Sequence, residues 1–293
     1  MPEFLTYKIM KRRILLPTDF SKNSWHAIKY ALELYKNDHC NFYLLNVFYA
    51  TGNIMESIAR LEPGSELYEA AKSESQKGLN KIVELLDVQG YNNPNHHIEA
   101  ISIFNSPLQA IKNIVETKDI EMIVMGTKGA GGSKEIAYGS TAIYVMEKVR
   151  NCPVIVVPEK AKQTLPKEIV FPTSYKTHYK RRELNYLIDI ALECDAKIEV
   201  LHVSEGKKLS KNQEEHKEML TEIFEDVTHS FHELSINSLE SAISIFVESR
   251  DADMVAFINK KHIFFRSKLT QPLVKEMGFN SKVPVLVMHD LRN

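Results

Sequence analysis

The sequence predicts an α/β protein built from two tandem, doubly wound domains, residues 10–158 and 168–290. Three observations predict it. Short apolar runs rich in Val, Ile and Leu alternate with helix-length amphipathic segments. The order of those runs occurs twice along the 293 residues. A glycine-rich stretch leaves one run and enters a helix, the place where a doubly wound sheet keeps its ligand crevice.

The repeat orders everything else. ILLPTDF at Ile14–Phe20 answers IVFPTSY at Ile169–Tyr175, and FYLLNV at Phe42–Val47 answers IEVLHV at Ile198–Val203. VETKDIEMIVMG from Val115 answers VESRDADMVAFI from Val247, and CPVIVVP at Cys152 answers VPVLVM at Val283. Four apolar runs recurring in one order indicate a duplication. The second copy is shorter between its second and third strands. Glu159–Lys167, polar with one proline, joins the copies, and the first nine residues, MPEFLTYKI, stand outside the fold argument.

Within the first copy the runs are apolar on both faces rather than alternating, which suits strands of a buried parallel sheet. Helices are predicted at Trp25–Tyr35, Ser65–Leu86 and Pro107–Val115, following the first three strands. Pro107 suits a first helical turn, where no backbone N–H is missed. Such strand–helix–strand units cross over right-handedly. Each copy is long enough to bury its own core.

Composition narrows the function classes. The chain is 44% apolar and 26% charged, with a formal net charge of −1. That balance supplies no electrostatic reason for a nucleic-acid or anionic-membrane partner. The basic run Lys176–Arg182 has no second basic patch beside it and reads as a solvated helix start. The three cysteines are far apart without C-x-x-C, which argues against disulfides and thiolate metal sites and favours a reducing compartment. With no charged-then-apolar leader and no apolar run near the ~20 residues of a membrane span, a cytoplasmic location is expected. His96 and His97 are adjacent and cannot face one site from a strand, and His229 and His232 share a face only on a helix. Metal binding through histidines is therefore not expected.

The chemistry concentrates in MGTKGAGGSKEIAYGSTAIYVMEKV, Met125–Val149. Five of the chain's 11 glycines fall between Gly126 and Gly139. Ile120–Met125 is the strand before them, and Ser140 opens a helix to Arg150. No G-x-x-x-x-G-K-[ST] is present, because Ser133 precedes Lys134 and Glu135 follows it, and G-x-G-x-x-G fails at Lys134. What stands is G-x-x-G-x9-G-S at Gly126, Gly129, Gly139 and Ser140. Glycine content alone leaves a mobile loop open as the alternative, and the fixed spacing between strand end and helix start favours a phosphate cradle over it. Glycine lets backbone N–H groups approach an anion, Ser140 and Thr141 add hydroxyls, and the helix dipole favours negative charge.

PTDFS near the start, the strand ending LLNV, the G-x-x-G-x9-G-S-T segment and the closing CPVIVVP together resemble the nucleotide-binding branch of the universal stress protein family. The resemblance covers both halves. It implies a five-stranded parallel sheet in the order 3-2-1-4-5 in each domain, and ATP, with or without Mg²⁺, as the ligand. It implies that Asp19 contacts the ribose or adenine end, with Pro17 and Thr18 shaping that strand end and Val47 offering backbone to the adenine. Gly126, Gly129, Gly139, Ser140 and Thr141 would hold the phosphates. The closing strands Val154–Val157 and Val285–Met288 would lie at sheet edges, so the domains are expected to pair through them as an intramolecular pseudo-dimer. A further homodimer is compatible with this.

Apart from Asp19, no carboxylate is tied by position to the glycine loop, and no G-x-S-x-G elbow marks a nucleophile, so no catalytic residue is nominated. The expected function is an ATP-binding regulatory or sensory protein of the stress response. The alternative is a slow ATPase or nucleotidyl-transfer enzyme, with Ser140 or Thr141 holding Mg²⁺. The second copy has Ser174 at the place of Asp19, Ile258 and Lys261 at those of Gly126 and Gly129, and Thr270, Gln271 and Pro272 near that of the Gly-Ser pair. One ATP per chain, in residues 10–158, is therefore expected.

Overall fold

The computed structural model describes residues 11–48, 63–127, 139–204, 206, 208–236, 238–259 and 281–290. Lys261, Thr270, Gln271 and Pro272 lie outside the described residues, as does Gly129, and only the backbone of Ser140 is described.

The first half runs β1 (Arg12–Pro17), α1 (Lys22–Leu34), β2 (Cys40–Phe48), α2 (Glu66–Val88), β3 (His96–Phe104), α3 (Pro107–Thr117), β4 (Met122–Gly126), α4 (Ser140–Lys148) and β5 (Val154–Val157). The second runs β6 (Glu168–Thr173), α5 (Arg181–Cys194), β7 (Lys197–Val203), α6 (Lys211–Ile223), β8 (His229–Leu234), α7 (Leu239–Arg250), β9 (Met254–Asn259) and β10 (Val285–His289). All ten strands form one sheet in the order β3-β2-β1-β4-β5-β10-β9-β6-β7-β8. Every pairing is parallel except β5 with β10, where Ile155 faces Leu286 across an antiparallel ladder.

Local chemistry explains where the helices begin. Ser21, Ser65, Ser210 and Ser238 each accept a first-turn N–H at the start of α1, α2, α6 and α7, satisfying donors that otherwise have no partner. Pro107 opens α3 as expected. Three aspartates in the left-handed conformation, Asp119, Asp195 and Asp251, turn the chain from a helix back into the sheet. Asp119 and Asp251 occupy the same place in the two copies, after VETK and VESR.

The apolar faces form two layers that run through both halves. One lies under α1, α2, α5 and α6 and includes Leu16, Phe42, Ile155, Phe171, Leu187 and Leu286. The other lies under α3, α4 and α7 and includes Leu15, Ile123, Val145, Val154, Val255 and Val287. The central strands β5 and β10 are buried at every position. The outermost strands differ from the expectation of two apolar faces: β3 and β8 have no fully buried residue, as suits sheet edges.

Polar bridges also cross between the halves. Arg12 pairs with Asp38 at 2.9 Å and with Glu193 of α5. Arg150, just after α4, donates to the backbone oxygen of Asn259 at 2.8 Å and pairs with Asp290. Asn259 in turn donates to the Met146 carbonyl at 3.1 Å.

Candidate nucleotide site at the carboxyl ends of strands 1 and 4

β1 and β4 are neighbours whose following helices cover opposite faces of the sheet, α1 on one and α4 on the other. The crevice beyond their carboxyl ends is where winding reverses, the position at which open α/β sheets bind ligands.

Pro17 ends β1, and Thr18 continues in register by donating its N–H to the Leu45 carbonyl at 2.8 Å. Thr18 is buried; its hydroxyl meets that of Ser24 at 3.0 Å and accepts the Phe20 N–H at 3.1 Å. Asp19 is exposed, and its Oδ1 accepts the Ser21 N–H at 3.1 Å. This bond and the Thr18 bond together hold Phe20 at φ 64°, a left-handed value that is strained for a bulky residue. The chain thus turns sharply from β1 into α1 and leaves the Asp19 carboxylate at the rim.

Asn46 of β2 donates to the Thr18 carbonyl at 2.8 Å and locks the turn from the other side. Val47 is half-buried beside it, packed on the α3/α4 face.

At β4, Gly126 pairs with Val157 as ordinary strand, without positive φ. Its lack of a side chain has a cause within the fold itself. A Cβ there would lie 2.8 Å from Asn23 Nδ2 and 3.1 Å from the Asn23 backbone carbon. Glycine is needed so that the start of α1 can close against β4. Asn23 then donates to the Thr127 hydroxyl at 3.0 Å, tying the β1–α1 turn to the strand end. Asn23, Asn46 and Thr127 were not singled out in the sequence; an amide two residues into a capped helix carries no distinguishing pattern there.

Gly139 is extended at φ −66°, ψ 154°, caps α4 without a side-chain bond, and donates its N–H to the Thr127 carbonyl at 2.6 Å. The chain that leaves β4 therefore returns to the same residue, and the first turn of α4, with half-buried Thr141, starts beside the strand end. The described geometry brings together Pro17, Thr18, Asp19, Gly126 and Gly139. Gly129 and the Ser140 hydroxyl fall outside what is described.

The second copy reproduces the turn and changes its chemistry. Tyr175 N–H donates to Thr173 Oγ1 at 3.0 Å, Lys176 N–H to Ser174 Oγ at 3.3 Å, and Tyr175 sits at φ 53°. Ser174 thus replaces the aspartate in the turn bond. Ile258, the last residue but one of β9, stands at the place of Gly126, and it is buried.

His96 and His232 are held by partners within the fold. His96 Nε2 lies 3.0 Å from the Tyr35 carbonyl, and His232 Nε2 lies 2.6 Å from buried Glu199. His229 and His232 lie on a strand, three residues apart, and so point to opposite faces. Among the described residues no group of three His, Cys, Asp or Glu side chains could hold a metal ion, and no helix is long and apolar enough to cross a membrane.

A parallel-dominated α/β sheet whose winding reverses between β1 and β4 defines a doubly wound fold, with its candidate crevice at that reversal. The family model described as Universal stress protein family matches residues 10–158, and the chain belongs to that family. It is 30% identical over 154 residues to universal stress protein MJ0531 of Methanocaldococcus jannaschii, covering 52% of this chain and 85% of that one. It is 25% identical over 171 residues to universal stress protein MJ0577 of the same organism, covering 52% and 98%. A universal stress protein from Archaeoglobus fulgidus has a similar fold over 94% of this chain and 97% of its own, with a TM-score of 0.71 at 18% identity.

Proposed function

We propose that residues 10–158 bind ATP at the crevice beyond β1 and β4, and that the protein is a nucleotide-binding regulatory or sensory protein of the stress response. The observation that carries the reading is the closure at Thr127. One residue receives both Asn23 from the β1–α1 turn and the Gly139 N–H at the start of α4. The rim carboxylate of Asp19 and the first turn of an uncapped helix therefore share one crevice. An exposed carboxylate is an acceptor for ribose hydroxyls. Helix-start N–H groups without a side-chain acceptor suit phosphate. Gly129, Ser140 and Thr141 complete the proposed phosphate contacts, and Val47 backbone the adenine contact. When Mg²⁺ accompanies the nucleotide, Ser140 or Thr141 would be its protein ligand.

The second half, residues 168–290, holds no ATP in this reading, since Ser174 and Ile258 stand where Asp19 and Gly126 serve the first. The antiparallel contact of β5 and β10 would act as the interface of an intramolecular pseudo-dimer in the cytoplasm. Turnover is expected to be negligible, because Asp19 at the ribose is remote from the γ-phosphate and no other carboxylate is tied by sequence position to the glycine loop as a base for water.

Protein purified under mild conditions, then denatured and the released small molecules separated, should yield adenine nucleotide, chiefly ATP, with no steady phosphate release. Recovery of a guanine nucleotide, or no ATP uptake on addition, would contradict the proposal.

A further inference from the structure

The second half has a cavity of its own, beyond the carboxyl ends of β6, β7 and β8 and under α6. Its volume is about 80 Å³, and Tyr175, His202, Leu209, Lys217, Phe231 and Glu233 line it. His202 of β7 stands where Asn46 stands in β2, each bonded to the threonine carbonyl at the end of the neighbouring strand, so the second half changes the chemistry at that position.

His202 is 7% exposed. Its Nδ1 lies 2.9 Å from the Thr173 carbonyl. A carbonyl only accepts, so Nδ1 carries a hydrogen, and Nε2 is the ring nitrogen that remains for an acceptor role. No donor among the described residues meets that nitrogen. Asn46 makes the equivalent bond to the Thr18 carbonyl but brings no second ring atom to the cavity.

Tyr175 is buried against His202, with ring centroids 4.9 Å apart and planes tilted by 31°. Burial holds its phenol well above the ordinary pKa, hence neutral. The left-handed backbone of Tyr175 is fixed from behind by His216, whose Nδ1 lies 2.7 Å from the Tyr175 carbonyl. Lys217, half-buried on α6, places Nζ 5.3 Å from the centroid of the Phe231 ring. Among the described residues no carboxylate lies within ion-pair distance of it. Exposed Glu233 marks the mouth.

We propose that this cavity is a second ligand site, specific for a small planar monoanion: one ring bearing a carboxylate and a hydrogen-bond donor. The rings of Tyr175 and Phe231 offer apolar walls for a flat group. The Lys217 ammonium receives the carboxylate, and His202 Nε2 accepts from the donor. Cavities of about 150 Å³ enclose a benzene ring, so this smaller, open one seats a single ring in part and leaves no room for a nucleoside. Glu233 at the mouth repels a polyanion, which separates this ligand class from the one proposed for the first half. The site stands on the second half's own residues and does not depend on nucleotide binding by the first.

Titration of the full-length chain with 4-hydroxybenzoate, by calorimetry and ligand-observed NMR, tests this. The expected result is saturable one-to-one binding that is indifferent to ATP and absent for phenol and for inorganic phosphate. His202→Asn, which copies Asn46 and keeps the turn bond, should weaken it about tenfold or more, as should Lys217→Met, which keeps the stem over Phe231 and removes the charge. If His202→Asn fails to fold by circular dichroism, Lys217→Met alone decides. Absence of saturable binding, unchanged affinity in the folded variants, or displacement by ATP would overturn the proposal.

Discussion

At Gly126 the sequence signal and its physical cause part company. The glycine was legible as the first of a spaced set, but the reason it tolerates no side chain is Asn23, a contact between residues 103 positions apart that no local pattern reveals. Gly126→Ala is therefore expected to destabilise the protein by about 1–3 kcal/mol, the usual cost of overpacking, by pushing the start of α1 away from β4. Denaturant midpoints for Gly126→Ala, Asn23→Ala and the double variant check it. The double variant should lose less than the sum of the singles, because the colliding amide is gone. Strict additivity would show that the glycine serves something other than this contact. Asn46 and His202 teach the same lesson. Each is fifth in its aligned run, FYLLNV or IEVLHV, and only the shared bond to a threonine carbonyl shows what that position does.

At the scale of elements, apolar runs and helix signals were readable because each depends on its own residues. Val154–Val157 is the strand read from CPVIVVP, and Pro107 and Ser65 mark helix starts through local chemistry. The half-buried outer strands were not readable, because edge position is a property of the sheet rather than of the run. The element that matters most to the assembly is the β5–β10 ladder, with Ile155 and Leu286 fully buried against each other's strands. Ile155→Lys places an unpaired charge there and should cost at least about 4 kcal/mol. Trp25, the single tryptophan, lies in the first half and gives a separate view of it. In the native chain its fluorescence and the far-ultraviolet dichroism should follow one coincident unfolding transition, and in Ile155→Lys the dichroism should split into two. A single transition at an unchanged midpoint in the variant would show that the ladder does not join the halves.

For the whole molecule, two halves with matching strand orders form one continuous sheet with two chemically different ends. The first end has a rim carboxylate and a glycine-closed loop; the second has a serine, an isoleucine and a cavity of aromatic and imidazole groups. The doubling was plain in the order of apolar runs and the divergence in Ser174 and Ile258, while the left-handed turn that Phe20 and Tyr175 share became visible only in the structure. The central claim is that ATP belongs to the first end alone. Calorimetric titration of the full chain with ATP measures it most directly, with Asp19→Asn and Ser174→Ala as matched variants that retain or only lightly alter each turn. One ATP per chain is predicted, weakened about tenfold by Asp19→Asn and unaffected by Ser174→Ala. Two equivalent ATP sites per chain, or a single site that responds to Ser174→Ala and ignores Asp19→Asn, would contradict it.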